Sequence, residues 1–303
     1  MIKVIFMGTP DYADAILKAL IADKIVEVVA VYTQPDKPVG RKKLMTPPPV
    51  KVTAQEYNIA LYQPKTLRDE SVINELLEIE CDYIVVAAYG QILPRKVLEH
   101  APSINLHASI LPQYRGASPI QQTLLNGDKE TGVTAMLMEE GLDTGDILKI
   151  EKIAVAEDEM VSTLFERLTA VATLLTLDVL KNFHTYTPLP QDESQATYCK
   201  KITKADGEVS FENAQILYNK YRAFTPWPGL YLSSKLKLKK IALVESESEN
   251  DAGVILHIDK DSLVVGCQQG SIRIFKVQPE SKKEMDVLAY INGKRLQLAD
   301  TLS

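Results

Sequence analysis

Polar and apolar positions in the first two-thirds of the chain form alternating blocks of strand-like and helix-like spacing. "KVIFMG" is a short apolar run that stops at Gly8. Thr9, Pro10 and Asp11 then supply an N-cap, a first-turn proline and an early acid for the amphipathic stretch "DYADAILKALIA". "VEVVAVYT" is a second β-branched run, "SVINELLEIE" has helical spacing, and "DYIVVAAYG" is a continuous apolar strand of the kind covered on both faces. "SINLHA" predicts another strand and "SPIQQTLLNGD" a helix ending at Gly127. "TGVTAMLME" and "GDILKIEKIAV" predict strands flanking the loop "EGLDTG", and "STLFERLTAVATLLTLDVLKNF" a long amphipathic helix. This order predicts an α/β domain with a Rossmann-like, mostly parallel sheet over residues 1–188.

The pattern then changes. Residues 189–204 fall in the polar, turn-rich text "PLPQDESQATYCKKITKAD" and read as a linker. One more helix, "NAQILYNKYRAF", precedes the short runs "LYLSS", "LKLKKIALVES", "GVILHID", "SLVVGCQ" and "SIRIFKVQ", separated by Gly, Asp and Ser. Close-spaced strands of this kind predict a small OB-like β-barrel domain over residues 205–303.

Composition supports two ordinary globular cores: 303 residues, 46% hydrophobic and 24% charged. The cysteines Cys81, Cys199 and Cys267 are odd in number and far apart, with no CxxC or Cys/His cluster. That argues against a disulfide framework or structural zinc and for reduced thiols in a cytoplasm. Nothing in the sequence demands a metal. Gly-Thr-Pro breaks the N-terminal apolar run before it reaches signal-peptide length, and no apolar span long enough for a membrane follows, so neither secretion nor insertion is expected. The net charge of −6 argues against bulk affinity for nucleic acid. From residue 205 onward basic and acidic residues balance at 13 each, so the acidic excess, 21 against 27, lies earlier. Any polyanion contact would use local patches.

The segment "INLHASILPQYRGASP" (104–119) carries candidate chemistry. On a strand, Ile104 and Leu106 face one way and Asn105 and His107 the other. Two polar groups at the C-terminal end of a strand stand where open α/β sheets place ligands, although a satisfied core histidine beside a turn-forming asparagine has the same pattern. In "EGLDTGD" (140–146), Gly141 and Gly145 allow tight turns around Asp143, which also suits an Asx-turn. An Asp, a His and an Asn together can move a proton and stabilise an oxyanion, as acyl transfer to an amine requires. No Ser or Cys sits in a G-x-S-x-G context, which leaves a covalent hydrolase little support.

The segments "FMGTPDYA", "TQPDKPVGRKKLMTPPPVK", "VAAYGQILP", "INLHASILPQYRGASPI", "GVTAMLMEEGLDTGDIL" and "RAFTPWPG" follow one another in this order. In that succession the sequence resembles the methionyl-tRNA formyltransferase family over nearly its whole length, most weakly in the last hundred residues. Asn-x-His and Leu-Asp-Thr-Gly-Asp alone define the wider formyltetrahydrofolate-dependent formyltransferase family, which includes glycinamide ribonucleotide and sugar-nucleotide formyltransferases and formyltetrahydrofolate hydrolases. The basic, proline-rich insert and the β-rich C-terminal domain single out the tRNA enzymes.

The resemblance implies transfer of the formyl group of 10-formyltetrahydrofolate to the α-amine of methionine on initiator tRNA, for translation initiation. It implies that Asn105 bonds the carbonyl oxygen as it becomes an oxyanion. His107 would stabilise the same oxygen and assist proton movement, with Asp143 orienting it or relaying the amine's proton. The folate would lie beside Ser109, Ile110, Leu111 and Pro112, where the family usually has Ser-Leu-Leu-Pro. Tyr89, Gly90, Gln91 and Ile92 would offer backbone donors and acceptors to the pterin.

The first turn, "MGTPDYA", is not G-x-G-x-x-G, so Asp36 does not mark a dinucleotide site. Arg41, Lys42 and Lys43, flanked by prolines, read as a mobile basic loop that by resemblance enters the acceptor end of tRNA. The loop is one residue shorter than the usual family form, and Gln113 stands where many relatives carry a basic residue. "KLKLKK" (235–240) sets Lys235, Lys237 and Lys239 on one strand face with leucines opposite. Such a stripe suits backbone-level tRNA contact, with Lys237 and Lys239 its candidates, and also fits a half-solvated strand. "FTPWPG", holding the one Trp, shapes a turn. No membrane or obligate protein partner is implied. The alternatives are an amino-sugar-nucleotide formyltransferase, a formyltetrahydrofolate hydrolase, and a folate- or RNA-binding module, which would not require the Asn105, His107 and Asp143 set.

Overall fold

Seven strands form the central sheet: β1 (Ile2–Gly8), β2 (Val26–Tyr32), β3 (Leu61–Tyr62), β4 (Tyr83–Ala87), β5 (Ser103–His107), β6 (Glu130–Leu137) and β7 (Ile147–Ala154). Their spatial order is β7-β6-β5-β4-β1-β2-β3. The pairs from β3 through β5 are parallel, while β6 runs antiparallel to β5 and β7 to β6. The sheet is thus mostly parallel, as the alternating blocks predict. Val4, Ile5, Phe6 and Met7 of β1 and Ile84 and Val85 of β4 are wholly buried, which explains their unbroken apolar text. The helix Asp11–Ala22 packs on these strands through Ala13, Ile16, Leu17 and Leu20. Each large apolar side chain buried there stabilises the fold by about 1.5–3 kcal/mol. Because β2 and β4 flank β1 on opposite sides, the winding reverses there, and the crevice at these C-terminal ends is where such sheets bind ligands.

The structure is a computed structural model and describes residues 1–40 and 42–302. It divides into two units, one of Met1–Pro119, Glu130–Ala154 and Phe165–Cys199, the other of Ile120–Lys129, Val155–Leu164 and Lys200–Ser303. Much of the 189–204 segment, expected as a linker, therefore lies with the first unit. Tyr198 and Cys199 pair in parallel with Arg115 and Gly116, and Leu189 bridges Ile147.

Two local expectations change. Pro10, not Thr9, takes the N-cap position of the helix Asp11–Ala22. Pairing of β1 with β4 brings their ends together, and the Thr9 hydroxyl donates instead to the Tyr89 carbonyl at 3.3 Å. The basic insert is a hairpin, Lys37–Val39 paired antiparallel with Leu44–Thr46, where the prolines had suggested an irregular loop. The helix Pro49–Glu56 follows it, with a proline at its start.

The second unit carries strands β8 (Leu230–Tyr231), β9 (Lys237–Glu249), β10 (Ile255–Ile258), β11 (Leu263–Gly266), β12 (Gln269–Gln278) and β13 (Met285–Asp286). The path β8-β9-β12-β11-β10 is antiparallel, with β13 added on β12. Register shifts along β9 bend it, as bulges do. Residues 120–129 join this unit because the helix Ala214–Phe224 caps their helix. Asn219 donates to the Leu125 carbonyl at 3.2 Å and Arg222 to that of Leu124 at 3.4 Å, both in the last turn of the helix Pro119–Asn126. Among the described residues no helix is long and apolar enough to cross a membrane.

Candidate active site

Strand β5 ends at His107 with Asn105 and His107 on one face, and both are buried. The Asp143 loop comes to that face from between β6 and β7. Asn105 Nδ2 donates to Asp143 Oδ1 at 3.4 Å, and His107 Nδ1 stands 3.7 Å from Asp143 Oδ2. The same Oδ2 accepts the Gly116 N–H at 2.8 Å. His107 Nε2 lies 2.9 Å from the Tyr114 carbonyl oxygen. A carbonyl only accepts, so Nε2 carries a proton, and Nδ1 is the ring nitrogen that faces the carboxylate.

Gly141 and Gly145 serve this loop differently from the expectation. Asp143 itself takes the left-handed conformation, at φ 53°, and neither glycine does. What the glycines permit is close approach. A Cβ on Gly145 would overlap the Leu137 carbonyl, and one on Gly141 the Thr144 side chain.

The loop after β5 is fastened by Thr134, directly across from His107 on β6. Its hydroxyl accepts the Leu111 N–H at 3.1 Å and donates to the Ser109 carbonyl at 2.7 Å. Ser109 Oγ donates to the Gln113 carbonyl at 2.6 Å. Ser109, Ile110, Leu111 and Pro112 thus form a fixed wall beside His107, with Gln113 exposed. The loop after β4 leaves the adjacent strand at the same end, since Val86 pairs with Asn105. Gly90 and Ile92 are exposed there, whereas the Tyr89 ring belongs to the apolar core. The Tyr89 carbonyl already accepts from Thr9 and Gln34, and Gln91 spends its amide on Leu67 N–H and the Pro64 carbonyl. Of the four residues expected to offer backbone groups to a pterin, Gly90 and Ile92 are exposed and Gln91 is half-buried.

Sequence reasoning missed Arg115, Gln191 and Glu193. Gln191 Nε2 donates to the carbonyls of Asp143, at 2.9 Å, and Gly145, at 2.8 Å. Arg115 is fully buried, and both it and Gln191 sat in text that read as loop and linker. The apolar pattern holds no signal for such bonds, which join residues 46 to 78 positions apart.

Lys42 and Lys43 sit exposed at the tip of the hairpin; Arg41 lies outside the described residues. Lys237 opens β9 exposed, and Lys239 stands 3.9 Å from Glu284. Lys235 is not on the strand: it sits in the preceding turn at φ 69°, its ammonium over the Tyr231 ring at 5.4 Å. Lys235 is thereby off the expected face, and a register shift between Leu238 and Lys240 interrupts the pairing at Lys239, so the expected three-lysine stripe is not formed as a regular strand face. Trp227 is exposed in the turn after the helix Ala214–Phe224. Asp36 pairs with Lys51 at 2.9 Å and accepts from Gln63; these bonds hold its carboxyl below the usual range and occupy it. A cavity of about 650 Å³ beside Tyr290 and one of about 450 Å³ beside Tyr83 are lined by none of Asn105, His107 and Asp143. The shallow strand-end crevice, where the polar groups converge, is the better candidate. Among the described residues no group of three or more His, Cys, Asp or Glu could hold a metal.

Asn105, His107 and Asp143 thus meet at the carboxyl edge of a mostly parallel sheet. The chain belongs to the formyl transferase family: residues 2–180 match that family and residues 201–295 the formyl transferase C-terminal domain. A methionyl-tRNA formyltransferase of Sulfurimonas denitrificans is 67% identical over 301 residues, covering 99% of this chain and 100% of that one. A methionyl-tRNA formyltransferase of Nitratiruptor sp. is 54% identical over 301 residues, with 99% of each covered. The crystal structure of an N-formyltransferase from Helicobacter canadensis in complex with folinic acid and dTDP-3-aminofucose has the same fold. It aligns with a TM-score of 0.66 at 19% identity, covering 92% of this chain and 100% of that one.

Proposed function

We propose that the chain transfers the formyl group of 10-formyltetrahydrofolate to the α-amine of methionine carried by initiator tRNA, in the cytoplasm where translation starts. The observation that carries this reading is the meeting of Asn105, His107 and Asp143 at the end of β5, in a chain so similar to methionyl-tRNA formyltransferases throughout its length.

The amine nitrogen attacks the formyl carbon, the bond from that carbon to the folate nitrogen breaks, and the proton that leaves the amine passes by way of His107 to the departing folate nitrogen. Asn105 gives one amide proton to Asp143, which leaves the other for the formyl oxygen as it gains charge. His107 Nδ1, unprotonated while the ring is neutral, accepts the amine's proton. The imidazolium so formed faces the Asp143 carboxylate 3.7 Å away and is stabilised by it. His107 can help to hold the oxyanion only after that transfer, since Nδ1 has no proton to offer before it. Ser109, Ile110, Leu111 and Pro112 form the folate wall, with Gly90 and Ile92 across from it. The hairpin lysines Lys42 and Lys43, with Arg41, meet the acceptor end of the tRNA.

The test is formyl transfer from 10-formyltetrahydrofolate to methionine-charged initiator and elongator tRNA. Product with initiator tRNA and far less with elongator tRNA is expected. No product with either would overturn the reading. Formylation of an amino-sugar nucleotide instead, or formate release without an acceptor, would replace it.

A further inference from the structure

We propose that Gln191 is a positioning residue for Asp143, locked in place by the buried guanidinium of Arg115. The proposal rests on the reading of Asp143 given above. Asp143 occupies a left-handed backbone conformation at φ 53°, one that Asp visits more readily than most non-glycine residues, so the placing of its carboxylate needs a constraint that holds the loop from outside. Gln191 supplies that constraint. Its two amide protons go to the carbonyls of Asp143, at 2.9 Å, and Gly145, at 2.8 Å. Its carbonyl oxygen accepts from Arg115 Nε at 3.0 Å and from a terminal guanidinium nitrogen at 2.8 Å. Both donors and both lone pairs of the amide are therefore used. Turning the amide over would set its NH₂ against the guanidinium and its oxygen against two carbonyls, so its orientation is fixed.

Arg115 is itself immobilised. Its guanidinium forks onto Glu193 at 2.7 and 3.0 Å, and its main-chain N–H donates to the Thr197 carbonyl at 2.9 Å. Its chain neighbour Gly116 gives its N–H to the Asp143 carboxylate at 2.8 Å. Asp143 is thus gripped twice from one place in the chain, at its carboxylate through the main chain of Gly116 and at its own carbonyl through the Arg115–Gln191 relay. The segment 189–199 acts as a strap that sets the height and angle of the carboxylate against His107 Nδ1.

Gln191→Glu separates positioning from shape. The carboxylate keeps the size of the amide and its bond to Arg115, but turns two donors into acceptors facing two carbonyls. We expect kcat for formyl transfer to fall about 100-fold, the size of effect that a misplacement of about 1 Å produces, with KM for tRNA and folate unchanged. In an Asp143→Asn background the same change should add no further loss, because Gln191 acts through Asp143. Wild-type kcat in Q191E, or a loss that multiplies with that of D143N, would overturn the proposal. D143N at wild-type kcat would overturn the reading of Asp143 and the proposal with it, whereas an impaired D143N beside a fully active Q191E overturns the proposal alone. Gln191→Asn, one methylene too short to bridge, should show the same kcat pattern to a smaller degree. Thermal unfolding is followed for every variant, and loss of the fold in both Gln191 variants would make Gln191 a structural residue and overturn the proposal.

Discussion

At the scale of single residues, the site depends on which atoms are already committed. Tyr114 fixes the proton on His107 Nε2, Gly116 and Asn105 take up the Asp143 oxygens, and the uncommitted basic atom among them is His107 Nδ1. In the proposed mechanism His107 Nδ1 gains a proton beside the Asp143 carboxylate, an interaction stronger in the transition state than before it. That is the differential interaction that catalysis needs. In the same proposal Asn105 acts on the other charge that develops, the formyl oxygen. Asn105→Ala should therefore lower kcat by about 10²–10³-fold, the usual effect of removing one oxyanion donor, with KM for tRNA unchanged. Steady-state kinetics on a variant with wild-type thermal stability measures this, and near wild-type kcat would remove Asn105 from the mechanism.

At the scale of elements, the loop after β5 is held by the neighbouring strand as much as by its own turn. Thr134 is buried and its hydroxyl serves both Leu111 and Ser109. Thr134→Val keeps the shape and leaves a buried N–H and a buried carbonyl unpaired, a cost of about 1–3 kcal/mol. Denaturant unfolding should show that loss, and KM for the folate should rise while KM for tRNA does not; an unchanged folate KM would detach this loop from the folate wall. The alternation of Ile104 and Leu106 against Asn105 and His107 made β5 and its polar face legible from the text, and continuous apolar runs did the same for β1 and β4. The strap at 189–199 was not legible in this way. It is held by short main-chain pairings at its two ends and by single polar groups that reach distant carbonyls, and neither leaves a periodic trace. The hairpin was hidden for a related reason, because Lys37 and Pro38 in its first strand signal irregular chain although an exposed two-stranded pair tolerates them.

At the scale of the whole molecule, an acidic chain that meets a polyanion must present its positive charge locally. The first two-thirds holds the acidic excess, while the last third is balanced and bears Lys237 exposed at the start of β9, with Lys239 beside it. Lys239 and Lys276 both reach toward Glu284, at 3.9 and 3.7 Å, distances too long to bind either lysine firmly. Their charge therefore remains available to a phosphate backbone, and counterions are released in proportion to the number of phosphates neutralised. Reversing two of them, Lys237→Glu with Lys239→Glu, should raise KM for tRNA and flatten its dependence on salt by roughly 0.7–0.9 in log–log slope for each phosphate left without its lysine. KM for the folate should stay as it was, since no lysine of β9 is among the residues of the folate wall. Measuring KM for tRNA at several salt concentrations separates a backbone contact from a base contact, because only the former moves the slope. An unchanged tRNA KM across that range would make β9 an ordinary solvated strand and leave the hairpin lysines Lys42 and Lys43 to carry the tRNA surface.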